Sequence, residues 1–339
     1  MNEIAPELRL RFYETMLRIR RFEEETGALF AAGELPGFVH LSIGQEAVPT
    51  GVCSALGVRD TITATHRGHG HIIAKGADLG RMMAELMGKR TGYCTGKGGS
   101  MHIFSLDLGV LGANGILGAG QPIAVGAGLS ARVLGDDRVS VTFFGEGASA
   151  QGGVHEAMNL AAIWKLPVVF IAEINGYAEL TPYGHHVSVA SMTDRAAGYG
   201  IPAVSIDGND VEAVYEAAGE AIARARSGGG PVLVEARTVR WRGHFEGDRQ
   251  LYRPDGEVEA AAAQLDPLRI HADRLLATGV ATEHDLDAIE RRVADEVAEA
   301  VAFGKGSPES APEDALLHVY STDGRGGRAD TRAGAEVTR

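Results

Sequence analysis

Apolar residues near the start of the chain recur at helical spacing. Leu8, Phe12, Ile19 and Phe22 follow Pro6, a favourable first helical residue, and predict an amphipathic helix over 7–30 that ends near Gly33. This defines an N-terminal helical arm, 1–35, packed on the main body. From position 139 the pattern changes to short β-rich apolar runs alternating with helical ones. Runs at 139–144, 168–174, 203–206 and 232–239 read as strands, those at 154–164 and 211–226 as helices, and a long loop contains Pro182. Such alternation predicts an α/β fold, a twisted parallel sheet flanked by helices, assigned here to a domain spanning 36–275. Further on, Leu286, Ile289, Val293, Val297 and Val301 recur at three- and four-residue steps. They predict a solvated helix within a C-terminal helical extension, 276–320. The stretch 321–339, rich in Gly, Arg and Ala without periodicity, is expected to be a disordered tail. No internal repeat occurs.

Composition narrows the classes of function. The chain has 339 residues, 45 acidic against 32 basic side chains, and a formal charge of −13, which argues against a nucleic-acid partner or an anionic membrane surface. No apolar run reaches the ~18 residues of a membrane span, and the first residues lack the apolar core of a secretory signal, so a cytoplasmic location is expected. Cys53 and Cys94 can form at most one bridge and are expected to stay reduced. The charge is unevenly placed. Residues 283–314 carry ten acids and three bases, whereas 59–107 carry seven bases, four acids, and His66, His69, His71 and His102. That second stretch could hold an anion. Glycine is also concentrated, with 17 of the 46 falling between 88 and 153, which fits either turns or close backbone approach to a ligand.

The chemistry centres on 139–177. A predicted strand runs into Gly145-Glu146-Gly147, and Ala148-Ser149-Ala150-Gln151 lead into a helix. Loop glycines and a helix start at the carboxyl end of a parallel strand offer backbone N–H groups to phosphate. The next strand ends in Asn175-Gly176-Tyr177, so Glu146 and Asn175 terminate successive strands and can converge. A carboxylate, an amide oxygen and a backbone carbonyl are suitable ligands for magnesium, which itself bridges phosphates. The alternative is a nicotinamide dinucleotide site: Gly145 to Ala150 satisfies G-x-G-x-x-A, with Glu173 at about the distance of a ribose-binding acid. Gly126 to Ala131 matches the same pattern, so the match alone decides little. Lys97 within Gly96-Lys97-Gly98-Gly99-Ser100 lacks the P-loop spacing.

The wider pattern resembles the thiamine-diphosphate motif of the alpha subunits of 2-oxo acid and acetoin dehydrogenase complexes. It comprises Gly145-Glu146-Gly147, a helix with Gln151, Glu156 and Asn159, Leu166-Pro167, and a strand ending in Asn175-Gly176-Tyr177. In the same order come Phe38-Val39-His40-Leu41 with Gly44-Gln45-Glu46-Ala47, Thr65-His66-Arg67-Gly68-His69-Gly70, and Gly96 to His102. Asn114-Gly115-Ile116-Leu117-Gly118 and Trp241-Arg242-Gly243-His244-Phe245 through Asp248 and Tyr252-Arg253 complete the series. The resemblance spans about 8–320.

It implies thiamine diphosphate and Mg2+ as cofactors. Glu146, Asn175 and the carbonyl of Tyr177 would hold the metal, with Gly147 and Ala148 contributing backbone groups. Arg67 would pair with the diphosphate, beside His66, which stands where many relatives have Tyr; Gly115 and Leu117 would touch the aminopyrimidine. His40 and His69 would face the substrate, and His244 the diphosphate and reacting carbon, as candidate catalytic groups. The implied activity forms an enamine from a 2-oxo acid (pyruvate or a branched-chain acid) or from acetoin, and passes the acyl group to a lipoyl acyltransferase partner. The activating carboxylate lies on a separate beta subunit in such enzymes, so an α2β2 heterotetramer is expected and the isolated chain is expected to be inactive. A biosynthetic thiamine-diphosphate carboligase subunit is the alternative within the same resemblance. Two departures matter: Glu146 replaces the more frequent Asp, and Phe245 replaces the phosphorylatable Ser of mitochondrial members, which removes kinase control there. The strings 245–248 and 178–182 are most similar to the acetoin-type members.

Overall fold

The computed structural model describes residues 4–317, so the expected tail at 321–339 lies outside the described residues. Helix α1 (Pro6–Ala31) starts on Pro6, as its position at the first helical residue favours. It is followed by α2 (Ala47–Ser54), β1 (Thr61–Thr65), α3 (His69–Ala74), α4 (Leu79–Leu86), β2 (Val110–Asn114), α5 (Gly120–Leu134) and β3 (Ser140–Gly145). Then come α6 (Gly152–Ile163), β4 (Val168–Ile174), the hairpin β5 (Tyr177–Ala178) and β6 (Thr181–Pro182), α7 (Met192–Ala197), β7 (Ala203–Asp207), α8 (Val211–Arg226) and β8 (Val232–Arg237). Helices α9 (Glu257–Gln264), α10 (Pro267–Ala277) and α11 (Glu283–Gly306) finish the order.

Six strands form one sheet in the order β2-β1-β3-β4-β8-β7, every pair parallel. The expected α/β class is therefore observed. Strand β4 is buried along its whole length, and its side chains alternate between two cores. Val169 and Ile171 join α1, α8 and α11 on one face, while Val168, Phe170 and Ala172 join α5, α6 and α7 on the other. Helix α1 is thus part of the main core through Leu17, Ile19, Phe22 and Leu29. No helix among the described residues is long and apolar enough to cross a membrane.

Two strands escaped the hydrophobic pattern. Strand β1 reads Thr-Ile-Thr-Ala-Thr, and its inward Thr63 hydroxyl bonds Thr142 Oγ1 at 2.8 Å inside the sheet, a polar pair that periodicity treats as surface. Strand β2 is short and interrupted by Gly112. Helix α11 differs from the solvated helix expected: Leu286, Ile289, Val293, Val297 and Ala300 are buried against α1 and α4. Its Thr282–Asp285 capping box fixes its start, and its acids occupy the outer face.

Topology places the site. The strand after β1 lies on one side of it and the strand after β3 lies on the other side of that strand, so the connections diverge and leave a crevice at the carboxyl ends of β1 and β3.

Candidate active site

Residues from four strand ends meet in this crevice. The segment after β1 supplies His66 and Arg67, the turn after β3 supplies Glu146, Gly147 and Ala148, β4 delivers Asn175, and the chain beyond β8 supplies Arg240 and His244. With Leu117 and Tyr177 they line a cavity of about 230 Å³. The turn after β3 passes through one 3-10 turn, Ala148–Ala150, before α6 begins. Gly147 fits closely there, since a Cβ would stand 3.0 Å from Cβ of Ala178 on the hairpin and would push it aside.

Glu146 is 1% exposed. Its Oε2 accepts the backbone N–H of Asn175 at 3.4 Å, and its Oε1 has no hydrogen-bond partner among the described residues. Burial pushes its carboxyl up to about 7, against the opposing pull of nearby backbone N–H groups and Arg240. A buried carboxylate with a free oxygen is a cation ligand in waiting. Asn175 stands beside it, its Nδ2 donating to Gln45 Oε1 at 3.1 Å and its Oδ1 accepting from the N–H of Tyr177 at 3.3 Å.

Positive charge faces this carboxylate. Buried Arg67 donates to the carbonyls of Leu41 (2.5 Å) and His244 (2.8 Å), and burial together with Arg240 pushes it down to about 9. Arg240, fully buried, donates to Tyr252 Oη (2.6 Å) and the Glu179 carbonyl (3.1 Å); burial lowers it too, and its Nε is unpartnered among the described residues. Both guanidiniums hydrogen-bond neutral oxygens and no carboxylate, which leaves their charge for an anion. A diphosphate bridged to a divalent cation satisfies both halves of the site, so the residues present fit thiamine diphosphate and its metal.

Beside the guanidiniums stand three imidazoles. Ring centroids of His40, His66 and His244 lie 4.5, 5.2 and 5.1 Å apart in the pairs 40–66, 40–244 and 66–244. Burial and the charge of Arg67 lower all three, His40 to about 3, His244 to about 4, and His66 further still. All are neutral at pH 7. An unfolded chain would protonate each ring near 6.5, so the folded state binds fewer protons and loses stability as pH falls below that value. The thermal midpoint of the chain is expected to drop between pH 6.5 and 4, and His66→Tyr to flatten the drop. An identical slope in the variant, followed by calorimetric melts, would refute this.

The expected residues are only partly brought together. His66, Arg67, Leu117, Glu146, Gly147, Ala148, Asn175, Tyr177 and His244 line one cavity, with His40 packed behind His66 and His244. Gly115 does not line it and abuts the ring of His102. His69 must be corrected: it faces away from the cavity, fully buried between Glu23 and Ser100, because it opens α3 on the side packed against α1. Arg240 was missed, although a base shortly after a strand and four residues before His244 was a usable signal. Glu173 does not offer a ribose acid; both its oxygens face His71 Nε2 at 3.1 Å.

A parallel sheet whose strand ends carry a buried carboxylate, two unneutralised guanidiniums and neutral imidazoles defines an α/β enzyme built around a diphosphate cofactor. The chain belongs to the dehydrogenase E1 component family, whose pattern matches residues 14–313. It is 51% identical over 324 residues to the alpha subunit of acetoin:2,6-dichlorophenolindophenol oxidoreductase of Bacillus subtilis, covering 96% of this chain and 97% of that one. The same-named subunit of Cupriavidus necator is 51% identical over 311 residues, 92% and 93% of the two chains. The pyruvate dehydrogenase E1 alpha subunit of Rhizobium meliloti is 43% identical over 307 residues, 91% and 88%. The expected alpha subunit of an E1-type 2-oxo acid or acetoin dehydrogenase is borne out, and the nicotinamide alternative falls. The family implies thiamine diphosphate, and the subunit naming a beta partner.

Proposed function

We propose that this chain is the alpha subunit of an acetoin dehydrogenase, that it works in an α2β2 heterotetramer, and that it passes an acetyl group to a lipoyl acyltransferase. Glu146, Asn175 and the carbonyl of Tyr177 would hold Mg2+ against the diphosphate. The observation that carries the site is the unpartnered, buried Glu146 Oε1 opposite Arg67 and Arg240. Bound thiamine diphosphate would supply a thiazolium carbon that attacks the substrate carbonyl and a ring that takes up the electrons of the broken bond.

The residues of the chain do the rest. Arg67 and Arg240 orient the anionic tail, and Leu117 and Ala148 give the cavity an apolar wall that keeps water from the reacting centre. Neutral His244, with His40 and His66 beside it, can take a proton from a substrate hydroxyl, becoming an imidazolium for that step, and then return it. Acetoin is a neutral hydroxyketone and needs no cation of its own, which suits a wall of uncharged imidazoles. The greater identity to the two acetoin-named relatives supports the same choice.

The test is co-expression with a beta subunit and dye reduction by 2,6-dichlorophenolindophenol with acetoin, pyruvate and branched-chain 2-oxo acids. We expect kcat/KM for acetoin to exceed the others by at least about tenfold, and no turnover by the alpha chain alone. A preference for pyruvate would overturn the substrate, carbon–carbon bond formation without acyl transfer would restore the biosynthetic alternative, and full activity of the isolated chain would remove the heterotetramer.

A further inference from the structure

We propose that Glu23, His69 and Ser100 form a positioning latch that ties the glycine-rich loop 92–102 to the wall of the active site, resting on the reading of the cavity as the cofactor site. Glu23 is fully buried in α1. Its Oε1 accepts the backbone N–H (2.9 Å) and hydroxyl (2.7 Å) of Ser42, which lines the cavity. Its Oε2 meets His69 Nδ1 at 2.9 Å, and His69 Nε2 lies 2.9 Å from Ser100 Oγ. Burial alone would raise the Glu23 carboxyl, but His69 and Ser42 outweigh it and hold it below the ordinary range. An ionised Glu23 requires the proton of His69 on Nδ1, which fixes the ring.

The part of the loop before Ser100 is anchored a second time. The carboxylate of Glu85, fully buried in α4, accepts backbone N–H groups of Cys94 (2.7 Å) and Gly96 (2.9 Å) on Oε2, and of Gly98 (2.7 Å) and Gly99 (3.2 Å) on Oε1. The chain wraps so closely that a Cβ on Gly92 would fall 2.3 Å from Glu85 Oε2. Glu85 shapes the loop, and Ser100 decides where it sits. On its far side the loop leans on the cavity: a Cβ on Gly115 would stand 3.1 Å from the ring of His102, and Leu117, two residues on, lines the site. Ser42, Glu23, His69 and Ser100 thus join two walls, the 39–45 segment and the 114–117 segment. His69 acts through its neighbours and is a positioning residue.

The test compares Ser100→Ala, Glu23→Gln and the double variant in the complex with the beta subunit. Each single change is expected to lower kcat about 10- to 100-fold, the scale set by misplaced reacting groups, with substrate KM within about twofold. The double variant is expected to be no worse than the poorer single one, since both cut the same chain. Hydrogen exchange of the amides of 94–99 is expected to quicken about tenfold, and Ser100→Thr to restore both rate and protection. Wild-type turnover with unchanged exchange in Ser100→Ala overturns the latch, as does strict additivity. If Glu23→Gln does not fold, the Ser100→Ala and Ser100→Thr pair decides. Exchange needs no turnover, so a wild-type complex inactive on every substrate would defeat the proposed function while the latch is still decided.

Discussion

Glu146→Gln is expected to leave the chain folded, to raise its stability above pH 7, and to end divalent-cation-dependent binding of thiamine diphosphate. The two effects share one cause. Burial holds the Glu146 carboxyl at about 7 against an ordinary 4.5, so between those values the folded state binds more protons than the unfolded one. Stability of the cation-free chain therefore falls as pH rises through that window, by a total on the order of 3 kcal/mol. A neutral amide of the same shape escapes the cost. On the proposed metal site the same change removes the charge that would attract the cation, and cofactor affinity is expected to drop by at least about 100-fold. In the wild type, affinity should rise with pH through about 7 as the carboxylate forms, then level off. Calorimetric titration with Mg2+ and thiamine diphosphate at pH 6 and 8, beside thermal melts of both proteins, measures all of this. Undiminished affinity in the variant would remove Glu146 from the proposed metal site.

How far the site was legible in the sequence depended on where each residue gets its neighbours. Glu146 and Asn175 end adjacent strands of one βαβ unit, β3 and β4, so local pattern brought them together correctly. The strand β1 that sits between β2 and β3 was invisible because three of its five residues are Thr and its buried polar pair bonds within the sheet. Without β1 the crevice could not be placed, only its β3 side. Arg240 lies nearly 100 residues from Glu146, beyond the last strand, and its burial under Tyr252 and Glu179 is a tertiary fact with no periodic trace. His69 shows the opposite failure. Its string, Thr65 to Gly70, was legible, but a residue only two positions after Arg67 turns away because α3 begins there and packs its first residue on Glu23 of α1. Sequence order carried the motif, and helix phase decided which face each residue met.

The last expectation concerns His244→Ala, for which kcat should fall about 10²- to 10⁴-fold, the usual contribution of a positioned acid–base group, while cofactor affinity stays within about twofold. Retained affinity follows from how His244 is held. Its carbonyl, which survives the substitution, is the group that accepts from Arg67 Nη2, and its N–H, which also survives, donates to Asp248 Oδ2 at 2.7 Å. Only the imidazole is lost, and with it the 3.4 Å contact from Nδ1 to Arg240 Nη1. Loss of turnover follows from charge state. Burial, then Arg67 and Arg240, hold the ring at about 4, so it is a neutral acceptor throughout the working range and needs no deprotonation before it acts. The kcat profile of the wild type should therefore be flat with respect to His244 between pH 6 and 8. Steady-state rates of the complex across that range, with cofactor titrations of the variant, provide the check. An acidic limb near 6.5 that vanishes in His244→Ala would mean the ring is solvated during turnover, and a parallel fall in cofactor affinity would mean that it holds the diphosphate and does not act on the substrate.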